Sequence, residues 1–148
     1  MGCDIHVYCE KKNKDGIYEY IDENFINYRN YGIFGFLAGV RNYSAINPIS
    51  TPRYIPKDAS NEVLKAYKNW DCDAHSASWL SVKELLDFNY EDICEDRRCM
   101  INNNGGCTCK EGEGKFMTYR EFLGNDFIEG LGKLKELKID RIIFWFDN

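Results

Sequence analysis

The chain has 148 residues, 44% of them hydrophobic and 29% charged, with a net charge of -5. That length and balance suit one globular domain over residues 1–148, with a core of its own, rather than a disordered chain. The negative charge excludes bulk DNA or RNA binding, which needs a basic face to displace counterions, but leaves room for one small phosphorylated ligand held by local arginines.

No apolar run approaches the roughly 20 residues of a membrane span. The opening Met1-Gly2-Cys3-Asp4-Ile5-His6 lacks a basic region followed by an apolar stretch, so no secretory signal is expected. The expectation is a cytoplasmic protein without membrane association, its seven cysteines reduced or metal-bound rather than paired.

Cys3 to Glu10 alternates as a strand does. Cys3, Ile5, Val7 and Cys9 would face a core, with Asp4, His6, Tyr8 and Glu10 on the other side. A turn at Lys14-Asp15-Gly16 and a β-rich run from Ile17 to Ile21 complete an N-terminal hairpin. Tyr31 to Val40 reads as a short helix, and Arg41 to Ala59, which holds all three prolines, as a long ordered loop. Ser60 to Trp70 carries a helical stripe of Val63, Leu64 and Tyr67. Ser81 to Glu84 and Thr118 to Glu121 match capping boxes. The second opens the longest helical pattern, through Phe122, Leu123, Phe127, Leu131 and Leu134. Ile139 to Asn148 reads as a buried strand beside the hairpin. The order predicts an α+β fold with a mainly antiparallel sheet, including the N-terminal hairpin and the C-terminal strand, and several helices packed on it.

The two histidines of the chain each follow an aspartate by two residues, in Asp4-Ile5-His6 and Asp73-Ala74-His75. On a strand such residues share a face, and a carboxylate beside an imidazole fixes its tautomer. The two segments are expected to meet in one site, with His6 and His75 as acid and base and Asp4 and Asp73 orienting them. Three chemistries could use the pair: cleavage of a phosphodiester, metal ligation, or binding of a polar ligand without reaction. A solvated surface pair remains the blander alternative for each. Arg41 and Arg53 flank the proline loop, and arginine suits forked recognition of phosphate. Tyr8, Ser76, Ser78 and Trp79 would line the same pocket.

Cys94, Cys99, Cys107 and Cys109 are spaced C-x4-C-x7-C-x-C around a run of Asn and Gly. Four thiolates closing such a loop could hold a structural zinc, with none needed for catalysis. Free thiols are the alternative, and a disulfide reading fits only under oxidising conditions.

Met1-Gly2-Cys3-Asp4-Ile5-His6, Leu37-Ala38-Gly39-Val40-Arg41-Asn42, His75-Ser76-Ala77-Ser78-Trp79-Leu80 and Phe144-Trp145-Phe146-Asp147-Asn148 together resemble an uncharacterised family of small phage and prophage proteins. The resemblance spans nearly the whole chain. The Cys/Gly/Asn-rich stretch at 92–114 looks like an insertion relative to it. The resemblance implies the cytoplasm of a phage-infected or prophage-carrying bacterium. It suggests, by analogy, an inhibitor of nucleotide-signal immunity. The expected function is a metal-independent phosphodiesterase acting on a nucleotide-like signal. The alternatives are a protein that sequesters such a signal and an interaction protein that blocks a host factor. A homo-oligomer is compatible with all three.

Overall fold

The computed structural model describes residues 2–98 and 109–148. Its first elements are β1 (Asp4–Lys12), β2 (Tyr18–Ile21), α1 (Tyr31–Ala38), α2 (Asn61–Trp70), β3 (His75–Ser81) and α3 (Val82–Asp87). Then come β4 (Ile93–Asp96), β5 (Lys115–Thr118), α4 (Tyr119–Leu123), α5 (Asn125–Glu136) and β6 (Arg141–Asp147). The fold is α+β, and every strand pairing is antiparallel. Among the described residues no helix is long and apolar enough to cross a membrane.

The chain packs as two compact units. The first comprises residues 2–29, 52–88 and 126–148, and the second residues 30–51, 89–98 and 109–125.

In the first unit four strands form one sheet in the order β2-β1-β6-β3. The hairpin turn forms because the Asn13 carboxamide oxygen accepts from the backbone N–H groups of Asp15 and Ile17, and Gly16 supplies a left-handed φ of 78° at no steric cost. β6 lies in the middle, and its residues Arg141 to Phe146 are all buried. Directly opposed residues of an antiparallel pair share a face, so the register assigns the two faces. On one face lie His6, Tyr8, Glu10, Trp79, Arg141, Ile143 and Trp145; on the other lie Ile5, Val7, Cys9, Ser78, Leu80, Ile142, Phe144 and Phe146.

The first of these faces is the polar side of β1, and α2 covers it. Val63 and Ala59 pack with Ala77, Ile143 and Trp145, and Tyr67, Trp70, Tyr8 and Tyr20 close around them. Ser60 caps α2 by accepting from Val63 N–H, while its own N–H donates to Glu10 Oε2 at 2.6 Å. The cap therefore docks the helix as well as starting it. α3 begins at the predicted capping box, with Ser81 and Glu84 bonding reciprocally.

In the second unit α1 is buried along nearly its whole length. Asn30 caps it, and Gly39 ends it at φ 71°, the left-handed C-terminal residue that favours glycine. β4 pairs with β5, and α4 packs beside both and beside α1. The segment 92–114 contains β4, and of its four expected zinc ligands Cys99 and Cys107 lie outside the described residues. Cys94 is buried on β4, and Cys109 is half-buried. Burial pushes the Cys94 thiol up to about 11.

Candidate functional site

His6 sits near the end of β1, opposite Trp145 on β6. Its Nε2 lies 2.6 Å from Asp147 Oδ2, with the two side chains 25% and 18% exposed. Its ring packs on Trp70 with centroids 4.1 Å apart. The His6 imidazole is thus held from two sides, by a carboxylate from β6 and by an indole from the end of α2. Among the described residues its Nδ1 has no hydrogen-bond partner.

His6 lines a cleft of about 250 Å³ with Asp4, Ile5, Asn27, Tyr28 and Arg29. The Arg29 fork meets both oxygens of Asp4, at 2.9 and 3.0 Å, and holds that carboxyl below the usual carboxylate range. Both partners are about half exposed, at 49% and 51%, so a ligand phosphate could exchange with Asp4 without stranding a buried charge. Gly2 lies directly under this fork: a Cβ there would fall 2.2 Å from Arg29 Nη1. The glycine of the opening motif therefore admits the guanidinium. The Tyr28 hydroxyl is buried without a hydrogen-bond partner among the described residues. Burial, and secondarily Asp126, raises its pKa, so it remains a donor.

The expected meeting of the two Asp-x-His segments does not occur. His75 lies on β3 opposite Phe146 and stacks near that ring at 6.1 Å. His6 lies opposite Trp145. Trp145 and Phe146 are consecutive residues of one strand, so the two histidines occupy opposite faces of the sheet. They stand two strand spacings apart at the backbone, roughly 9–10 Å, with β6 between them.

A β-bulge is responsible. Counting back from Trp79 through Ala77, simple alternation would put His75 on the His6 face. Between Ser78 and His75 the register slips by one residue, and Ser76 takes a left-handed φ of 53°. An extra residue in one strand turns everything beyond it to the other face.

The carboxylates also differ from expectation. His6 is oriented by Asp147, while Asp4 engages Arg29. Asp73 is exposed in the 3-10 turn Asp71–Asp73, and its carboxylate has no hydrogen-bond partner among the described residues. His75 instead contacts Ser76 Oγ through Nδ1 at 3.1 Å and Asn148 Oδ1 through Nε2 at 3.4 Å.

Of the remaining expected ligand residues, Arg53 belongs to the same unit, but Glu84 takes its fork, with one contact at 2.9 Å, and it lies over the Trp79 ring at 4.9 Å. Ser78 is buried and accepts from Arg53 N–H at 2.9 Å. Tyr8 stacks on Trp145 at 5.0 Å and 15°. Tyr8, Ser78 and Trp79 are thus bound into the packing of the sheet. Arg41 belongs to the second unit, where it donates to Tyr43 Oη at 3.3 Å.

Sequence reasoning missed Arg29, Tyr28, Asp147 and Asn148. A signal was present only for Asp147, a carboxylate ending an otherwise apolar strand. The fold and site define an α+β protein whose central antiparallel strand separates two histidine environments. No protein-family model, curated protein or solved structure matches the chain.

Proposed function

We propose that the protein acts on a small phosphorylated, nucleotide-like molecule at the His6 cleft, as a metal-independent phosphodiesterase with His6 as its base. The observation that carries this reading is the 2.6 Å contact between His6 Nε2 and Asp147 Oδ2. An acceptor on Nε2 holds the proton there and leaves Nδ1 to take one from water. The water oxygen then bonds to phosphorus, the ester P–O bond breaks, and Nδ1 returns the proton to the departing oxygen. Arg29 would stabilise the charge on the phosphoryl oxygens. The resemblance to phage proteins makes a bacterial immune signal the substrate class to test first.

A second reading, sequestration without cleavage, is favoured by the position of His75. With His75 on the opposite face, the cleft holds one imidazole and lacks the separate general acid that a two-histidine mechanism supplies.

Incubation with a panel of cyclic mono- and dinucleotides, followed by denaturation and mass spectrometry, separates these readings. Cleavage predicts products with the native chain and with His75→Ala, and none with His6→Ala or Asp147→Asn. Intact nucleotide recovered from the native complex means sequestration. Turnover surviving in His6→Ala would remove the cleft from the mechanism.

A further inference from the structure

The bulge that carries His75 away from His6 builds a second arrangement on the other face. On a regular strand, neighbouring side chains point to opposite faces and cannot bond to each other. Here the left-handed backbone at Ser76, φ 53°, brings its hydroxyl to 3.1 Å from Nδ1 of the preceding His75. The other ring nitrogen, Nε2, lies 3.4 Å from Asn148 Oδ1. With the carboxamide oxygen as acceptor, this contact fits the tautomer with hydrogen on Nε2. Nδ1 is then the acceptor for the Ser76 hydroxyl. The order of groups is hydroxyl, imidazole, orienting carbonyl, which is how a serine is activated as a nucleophile.

Two further observations support it. Left-handed backbone in a residue with a Cβ is unfavourable and is retained where surrounding structure enforces it, often at reactive positions. Tyr54, the residue whose N–H donates to Ala77 O at 2.9 Å, is also left-handed, with φ 68°. Its side chain is 77% exposed. Among the described residues, the hydrogen-bond and ring partners of His75 (Ser76, Asn148 and Phe146) are uncharged, which suits a neutral acyl electrophile better than a phosphate.

We propose that Ser76 is a nucleophile for small carboxylic esters, with His75 as its base and Asn148 as the positioning residue. Ser76 Oγ bonds to the acyl carbon as its proton passes to His75 Nδ1, and the departing alkoxide takes that proton as the ester C–O bond breaks. Water then attacks the acyl-serine, giving its proton to Nδ1, and Oγ recovers a proton as the acid leaves. The site is separate from the His6 cleft and does not depend on it.

A fluorophosphonate probe tests the nucleophile directly, since Oγ displaces fluoride from phosphorus by the same proton transfer. The expected result is one adduct, located at Ser76 by peptide mass spectrometry, absent in Ser76→Ala and His75→Ala, and unchanged in His6→Ala. Asn148→Ala should slow labelling, with rescue by Asn148→Asp. An unlabelled native chain, an adduct elsewhere, or labelling of His75→Ala at the native rate would overturn the proposal. Should His75→Ala fail to fold by circular dichroism, the exposed Asn148 carries the test, and an unchanged rate in Asn148→Ala would overturn it. Because His6→Ala leaves this site intact, failure here is distinguishable from failure at the cleft.

Discussion

Glu10 and Arg141 face each other across β1 and β6 and form an ion pair almost wholly withdrawn from water. The Oε1 to Nε distance is 2.7 Å, with side-chain exposures of 0% and 5%. Most of the remaining polar atoms of the pair are partnered too, although Arg141 Nη2 is buried without a hydrogen-bond partner among the described residues. Ser60 N–H donates to the other Glu10 oxygen, Asp58 accepts from Arg141 Nη1 at 3.0 Å, and the guanidinium lies over the Tyr18 ring at 3.4 Å. Deleting one partner leaves an uncompensated buried charge. Glu10→Leu or Arg141→Met should each lower stability by about 3–5 kcal/mol. The double substitution Glu10→Leu with Arg141→Met should cost less than either, since apolar replacement of a whole buried pair is often neutral. Urea unfolding of the three variants checks this; simple additivity would show that the pair is uncoupled.

The Arg53–Glu84 pair predicts an acid limb. The Arg53 fork, opposed by desolvation and aided by Ser81, brings the Glu84 carboxyl down to about 2 from 4.5. A carboxyl with a depressed folded pKa stabilises the fold fully above its unfolded value, and that stability is lost as pH falls through the folded value. The native chain should therefore lose stability between about pH 4.5 and 2, and Glu84→Gln should flatten that part of the curve. Thermal melts across the window measure it; identical acid limbs would mean that Arg53 does not hold Glu84 in solution.

At the cleft, Arg29 is the first cause of the lowered Asp4 pKa. Arg29→Ala should raise the Asp4 pKa toward its ordinary value of 3.8, followed by carboxyl NMR titration. Gly2→Ala should shift it the same way, because a Cβ there would push the guanidinium aside. An Asp4 titration unmoved by Arg29→Ala would place the pair apart in solution.

Thiol reactivity should follow burial. Burial, and then Glu23, pushes the Cys9 thiol up to about 12, and Cys94 is likewise held protonated, whereas Cys72 is exposed. Since the thiolate is the nucleophile, iodoacetamide near neutral pH should modify Cys72 in the native chain, and Cys9 and Cys94 only after denaturation. Peptide mapping reads the order, and prompt modification of Cys9 would show β1 opening.

The fold was legible wherever local pattern and tertiary burial agree. The alternation from Cys3 to Glu10, the turn at Gly16, the caps at Ser81 and Thr118, and the apolar run of β6 all appear where periodicity and capping chemistry place them, but the one helix expected from Thr118 through Leu134 is two, α4 and α5, parted at Gly124. β3 was less legible, because its small polar residues read as a pocket loop and its bulge breaks the alternation that would mark a strand. The burial of the polar face of β1 was not legible for a different reason: Glu10 is polar yet fully buried, and its partner Arg141 lies 131 residues away. The site shows the same limit. His6 and His75 stand out by composition, but the partners their rings meet, Asp147 and Asn148, are placed by the pairing of β6 and by the residue that follows it, which no short window of sequence contains.

The middle position of β6 also ties the fates of the two sites together. Asp147 contacts His6 on one face and Asn148 contacts His75 on the other, so the last side chain of the strand and the one after it are divided between two environments. A one-residue insertion or deletion near Phe146 would present the carboxylate to the wrong imidazole and the carboxamide to the other. Neither environment can drift in sequence length independently, and one frame error in this strand would disable both.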